Sequence, residues 1–277
     1  MAPIKTLDID RLDTADLPAA LALSAEAGWN QTVEDWRIFL DQGRVFACRA
    51  GDGQPVATAA ILPYGDFAWI SMVLVTAAQR QRGMGSLLLR HCISELQRDG
   101  RIPYLDATPA GEKVYLPLGF QPVFGITRWQ GQGAGLEGAG QGSSAMPVDA
   151  DACQALDEAA FGARRAPLLH SFIKRLPTLA RQQDEAFVVA RNGRLATQIG
   201  PLVAGSEAQA LDLLKAALDH VAGPVFLDVP DRWAGLGGEL QRRGFTIQRG
   251  FRRMAFNSSN ANGDPARSFV IAGPEFG

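Results

Sequence analysis

Residues 67–98 read Phe67-Ala-Trp-Ile-Ser-Met-Val-Leu-Val75, then Thr-Ala-Ala-Gln-Arg80-Gln-Arg-Gly83-Met-Gly85, then Ser86-Leu-Leu-Leu-Arg-His-Cys-Ile-Ser-Glu-Leu-Gln-Arg98. The first nine residues form a nearly continuous apolar run of strand length, which predicts a strand at the centre of a sheet. The last thirteen place apolar residues at 88, 89, 92, 93 and 96, a helical spacing closed by Gly100. Between them lies a polar, glycine-bearing loop that opens the helix. A helix start leaves backbone N–H groups unpaired and carries partial positive charge, so this junction is suited to an anion. Gly83 and Gly85 let the backbone approach a phosphate where a Cβ would obstruct it, and Arg80 and Arg82 add charge. The loop carries neither GxxxxGK[ST] nor GxGxxG, having only Gly83-x-Gly85, so this is neither a Walker loop nor a dinucleotide fingerprint.

Working outward, residues 17–27 and a segment opening at Thr32 read as helices, the second with Thr32 and Asp35 as a capping pair. Residues 45–50 and 55–62 read as strands joined across Gly51-Asp52-Gly53. Residues 104–107 form a strand, 111–118 a short helix and 120–129 a last strand. The order is α-α-β-β-β-α-β-α-β, an α+β class with a mixed α/β sheet. Residues 131–145, GQGAGLEGAGQGSSA, read as a flexible connection. The chain is therefore divided into 1–130, a linker at 131–145, a second domain at 146–256 and a tail at 257–277 with a terminal strand. The second domain repeats the same order, and landmarks overlay: Leu105-Asp106 with Leu227-Asp228, and Gly119-Phe120 with Gly244-Phe245. The halves read as a degenerate tandem repeat.

With 277 residues, 47% of them hydrophobic, and a net charge of −2, the chain is globular rather than disordered. No apolar run approaches the length of a membrane span, and no secretory leader is evident, so a cytoplasmic protein with no membrane partner is expected. Near-neutral charge argues against a nucleic-acid binder. Cys48, Cys92 and Cys153 are far apart and odd in number, with no histidine at ligand spacing, so buried thiols and no metal are expected.

The hexapeptide Arg80-Gln-Arg-Gly-Met-Gly85, followed by Tyr104-Leu-Asp-Ala-Thr-Pro-Ala-Gly111-Glu-Lys-Val-Tyr115-Leu-Pro-Leu-Gly119-Phe120, resembles the two signatures of the GNAT superfamily of acyl-CoA-dependent N-acyltransferases. The likeness covers nearly all of residues 1–130. The two-part layout resembles a bacterial subgroup with a divergent second GNAT-like half, through Ile199-Gly-Pro-Leu-Val-Ala204 and Leu227-Asp-Val-Pro230.

The resemblance implies acetyl-CoA as acyl donor. Val73 and Val75 would face its pantetheine arm, and backbone amides of Arg80, Gln81, Arg82, Gly83, Met84, Gly85 and Ser86 would hold its pyrophosphate. Thr108 stands where many members have a cofactor-contacting asparagine. Tyr115 would be the general acid that protonates the departing thiolate. Asp66, Ser71 and Asp35 are candidates for handling the amine proton. Trp29, Asn30, Asp35 and Ser71 are candidates for the acceptor pocket, with Trp36 beside them, and the two tryptophans would sandwich an amine. His91 reads as packing. In the second half Glu207 stands where phosphates would sit and Leu240 where Tyr115 would, so that half is expected to be inactive. Phe161-Gly162 with Arg164-Arg165 reads as an aromatic residue beside a solvated charge pair. The expected activity is acetyl transfer to a primary amine of a small molecule by direct attack in a ternary complex, in a monomer or weak homodimer. The alternatives are a non-catalytic acyl-CoA sensor or a nucleotide-binding module.

Overall fold

The computed structural model describes residues 8–136 and 146–277. They fall into two compact units, the first ending at Leu105 and the second running from Asp106 to Gly277.

The first unit holds β1 (Ile9–Arg11), α1 (Leu17–Glu26), α2 (Val33–Gln42), β2 (Arg44–Arg49), β3 (Pro55–Tyr64), β4 (Phe67–Val75), α3 (Met84–Arg98) and most of β5 (Ile102–Ala107). Strands β1 to β4 pair antiparallel in sequence order, and α3 returns the chain so that β5 lies parallel to β4. Residues 67–72 are all buried, so both faces of β4 are covered, as its unbroken apolar run requires. The apolar positions of α3 expected to face inward, Leu88, Leu89, Cys92, Ile93 and Leu96, are all buried. Helix α2 starts in the anticipated capping box, Thr32 bonding Asp35 N while Asp35 bonds Thr32 N. One feature of β4 has no local sequence signal. Met72 is at φ 52°, and the register with β3 slips between Ala60↔Ser71 and Thr58↔Leu74. That extra residue is a bulge, which bends the strand. Pairing of β4 with β5 ends at Trp69↔Tyr104.

The second unit holds α4 (Pro109–Tyr115), β6 (Phe120–Ala134), β7 (Met146–Pro147), α5 (Ala150–Phe161), α6 (Ala166–Arg175), β8 (Arg181–Gln183), β9 (Ala186–Arg191), β10 (Thr197–Val203), α7 (Glu207–His220), β11 (Ala222–Pro230), α8 (Ala234–Arg242), β12 (Thr246–Phe256) and β13 (Ser268–Val270). Its strands run in the order β12-β6-β11-β10-β9-β8-β7, with β13 on β10. A core of Leu202, Leu213, Leu214, Leu227, Leu236 and their neighbours fills it.

Strand β6 differs from expectation. It does not end at residue 129 but continues to Ala134, antiparallel to β11 from Ile126↔Pro230 to Ala134↔Ala222, with β12 on its other edge. The first residues of the expected linker are therefore strand. Their glycines are there for close packing: a Cβ at Gly131 would lie 2.5 Å from the Phe245 ring, and one at Gly133 would lie 2.2 Å from Val221 O. Residues 137–145 of that linker lie outside the described residues.

Two buried bidentate ion pairs tie this sheet together. Arg253 on β12 binds Asp106 at the end of β5 through two 2.9 Å bonds. Arg128 on β6 binds Asp228 on β11 through two 2.7 Å bonds, and Gln198 adds a third to that carboxylate at 2.9 Å. Asp106 and Asp228 are the repeat landmarks, and the two arginines each follow their Gly-Phe landmark by the same interval. The aspartate of each repeat is thus answered by the arginine of the other.

Cys48, Cys92 and Cys153 are buried and unbridged. No helix among the described residues is long and apolar enough to cross a membrane.

Candidate active site

After Val75 the chain makes a 3-10 turn over Ala77–Gln79. Glu26, the last residue of α1, holds this turn: its carboxylate accepts from Ala77 N at 2.7 Å and from Thr76 Oγ1 at 2.8 Å. These bonds keep the Glu26 carboxyl below its ordinary range. Arg80 folds back to donate from Nε to Val75 O at 3.1 Å. Gln81 and Gly83 then both adopt left-handed backbone, at φ 63° and 80°. Gly83 is the residue before α3, and no side chain caps the helix there. Leu87 N is the first amide bonded back, to Gly83 O, so the amides of Met84, Gly85 and Ser86 lead the helix without a partner. Arg80, Gln81 and Arg82 are exposed, whereas the Met84 side chain is buried in the core, so only its backbone faces the loop. A Cβ at Gly85 would lie 3.6 Å from Val75 Cγ2 and 3.9 Å from Val73 Cγ1. The fold therefore brings the loop glycine and the two half-buried valines together.

Thr108 and Tyr115 lie in the second unit, at the two ends of α4. Thr108 caps the helix, its Oγ1 accepting from Gly111 N at 3.2 Å. Where the resemblance implies a cofactor contact, that oxygen is engaged in a structural bond. Tyr115 is half-buried, its ring folded over Gly111, where a Cβ would come within 2.9 Å of it, and tilted against Phe120 at 6.1 Å. Burial pushes the phenol above its ordinary pKa, so it stays protonated through neutral pH.

The acceptor candidates fare differently. Trp36 is fully buried and donates from Nε1 to Ser24 Oγ at 2.9 Å, which makes it a core residue and removes it from a sandwich with Trp29. Asp35 is buried, and its carboxylate accepts from Thr32 N at 2.8 Å in the capping box. Trp29 is half-buried and Asn30 buried in the loop between α1 and α2. Ser71, on β4, is buried with Oγ lacking a hydrogen-bond partner, and so is Gln31 Oε1, a residue not singled out from sequence. Nothing local distinguishes Gln31 beyond its neighbours in that loop. Asp66 is exposed at the turn before β4, a full strand away from the glycine loop, about 30 Å at ~3.3 Å per residue. His91 packs edge-on to Phe46 at 4.5 Å.

In the second repeat, Leu240 is fully buried, and Glu207 lies in the first turn of α7 against Gly235. Arg165 is a correction. It is buried rather than solvated, doubly bonded to Asp157 at 2.7 and 2.9 Å and stacked over the Phe161 ring at 3.8 Å. Among the described residues no cluster of three or more His, Cys, Asp or Glu is placed to hold a metal ion.

Comparison with known proteins agrees with this architecture. The model of the acetyltransferase (GNAT) family matches residues 10–120, and a second acetyltransferase (GNAT) domain model matches residues 153–269. The uncharacterized N-acetyltransferase YitH of Bacillus subtilis is 24% identical over 249 residues, covering 86% of this chain and 87% of its own. A Pyrococcus horikoshii structure, described as that of an acetyltransferase not yet verified as such, matches with a TM-score of 0.83 at 19% identity, over 100% of this chain and 99% of that one. A tandem GNAT protein from the clavulanic acid biosynthesis pathway matches at 0.61 and 14% identity, over 90% and 97% of the two chains. The class is that of acyl-transferring enzymes built on a mixed α/β sheet. The chain belongs to the GNAT N-acetyltransferase family, in the tandem form that carries two such domains.

Proposed function

We propose that this enzyme transfers an acetyl group from acetyl-CoA to a primary amine of a small molecule, by direct attack in a ternary complex. The observation that carries the reading is the uncapped start of α3. Three amides and a left-handed Gly83 stand at the end of a strand whose β5-facing edge is unpaired beyond Trp69. Pyrophosphate satisfies those amides, and the pantetheine arm adds along Val73–Val75 as an extra strand would.

The amine arrives mostly protonated and gives up one proton before its lone pair attacks the thioester carbonyl. A tetrahedral intermediate forms, the C–S bond breaks, the departing thiolate takes the phenol proton of Tyr115, and the second amine proton, released through solvent as the neutral amide forms, restores the phenol. The neutral phenol supports that role. Ser71 Oγ and Gln31 Oε1, both buried without a partner, are acceptors that an amine's N–H groups would satisfy. With Trp29 and Asn30 they make up the acceptor residues of this reading, and Asp35 is left out because its carboxylate serves the helix start.

Acetyl-CoA at about 100 times its Kd stabilises the native state by roughly 2.7 kcal/mol, a Tm rise of about 5–10 °C for a chain of this size. Gly83→Glu and Gly85→Glu should each abolish the rise, by placing bulk and negative charge where phosphate binds. A rise that survives both substitutions would place the donor elsewhere. A panel of amino acids, polyamines and aminoglycosides, followed by CoA release, identifies the acceptor. Turnover of histone-like peptides alone would refute the small-molecule reading.

A further inference from the structure

The parallel pairing of β10 with β11 runs only from Thr197↔Val225 to Ile199↔Leu227. Beyond it the strands part, and the chain's own residues 267–277 lie in the gap. On one side Ala204 N donates to Arg267 O at 3.1 Å, and Leu202 and Val203 register with Val270 and Ser268. On the other, Ile271 N donates to Asp228 O of β11 at 3.0 Å. The segment is therefore hydrogen-bonded to both strands of the wedge. Gly200 makes the approach possible: at φ 135°, a Cβ there would sit 2.1 Å from Ile271 O.

Anchors hold the segment along its length. Trp233 donates from Nε1 to Ser268 O at 2.7 Å and stacks on Phe269 at 4.0 Å. Arg191 bonds Ala272 O and the Glu275 carboxylate, and Arg165, braced by Asp157, donates to Gly277 O at 2.8 Å. Phe269, Val270, Ile271 and Phe276 are buried.

The corresponding wedge of the first unit, between β4 and β5 past Trp69↔Tyr104, contains no such strand among the described residues. The helix starts differ in the same sense. Whereas α3 is uncapped, α7 is closed by Ser206, which accepts from Gln209 N at 3.4 Å, and Gln209 Oε1 takes Gly205 N at 3.2 Å. Glu207 adds a carboxylate in that first turn, with Oε1 buried and unpartnered, which opposes any approaching phosphate.

We infer that residues 267–277 are an internal strand ligand occupying, in the second repeat, the cleft that the first repeat leaves open, so that the chain takes acyl donor at one site only. The clause on the open site rests on the function proposed above, but the occupied cleft does not. A covalently tethered strand competes at an effective concentration of order millimolar, and it satisfies backbone groups on both lips that pantetheine would have to win back.

Hydrogen–deuterium exchange on the intact chain, with and without acetyl-CoA, tests this. In the free protein the amides of Ala204 and Ile271 should exchange at least ~10²-fold more slowly than in an unstructured peptide. Acetyl-CoA should protect residues 83–87 and leave residues 204–210 and 267–272 unchanged. Fast exchange at Ala204 and Ile271 in the free protein would overturn the inference. So would acetyl-CoA speeding exchange at 267–272 or adding protection at 206–210. If 83–87 gain no protection while 267–272 stay slow, the proposed donor site fails and the occupied cleft stands.

Discussion

The Tyr115 phenol is half-buried with its pKa raised. Tyr115→Phe should lower kcat by ~10²-fold or more while leaving acetyl-CoA affinity within about twofold, the usual scale for a lost general acid. In the unmodified enzyme the group must be protonated to act, so its contribution persists through neutral pH and is lost only as pH rises past the raised phenol value, above the ordinary ~10. A kcat–pH profile that falls well below that point would assign the limb to another group. Asp35, by contrast, serves the start of α2. Asp35→Ala should cost about 1 kcal/mol of stability, as lost capping interactions do, with KM for the amine unchanged. A raised KM with an unchanged Tm would return Asp35 to the acceptor pocket. The capping pair Thr32/Asp35 was legible because it depends on residues three apart. Whether that carboxylate also reached substrate was not legible, because burial is decided by what packs above it.

At the scale of elements, β4 and α3 were read nearly to the residue, since period and glycine placement act within one turn or one strand. The bulge at Met72 was invisible, because nothing in Ser71-Met72-Val73 marks it and the slip exists only relative to β3. The contact of Glu26 with Thr76 and Ala77 was equally hidden, joining α1 to the loop before α3 across fifty residues of chain. Glu26→Ala should weaken acetyl-CoA binding several-fold by loosening the turn that positions Arg80 and Gly83, with little change in Tm because the residue is exposed. Titration calorimetry decides it, and unchanged affinity would make the contact incidental. The sign with pH follows from the lowered carboxyl: the tie is fully present above the ordinary glutamate value of about 4.3 and is lost as pH falls through the lower folded value. Through Glu26, acetyl-CoA affinity should therefore be independent of pH near neutrality and weaken only as pH falls through that lowered value.

Across the whole chain, the two reciprocal ion pairs carry the largest predicted energies. Asp228→Ala leaves Arg128 buried without its carboxylate and should cost about 3–5 kcal/mol, whereas the joint change Asp228→Leu with Arg128→Met should recover most of it. Denaturant unfolding of the two variants measures this, and equal loss in the single and double variants would show that the pair is not the operative unit. By itself the sequence determined the main element order, the glycine loop before α3, the inward face of α3 and, through landmarks shared by its two halves, the tandem repeat. The first three follow from spacings of two to seven residues, which steer the local backbone wherever it lies. Tertiary structure alone decided that β6 runs to Ala134 between β11 and β12, and that Gly131 and Gly133 clear space for Phe245 and Val221 rather than loosening a linker. It also decided that Arg165 is buried and that residues 267–277 close the second wedge. Apart from Asp157 beside Arg165, the partners in those outcomes lie roughly 40 to 140 residues away along the chain. Such choices are settled by which apolar faces and buried charges can be satisfied together, a condition that no local stretch of sequence contains.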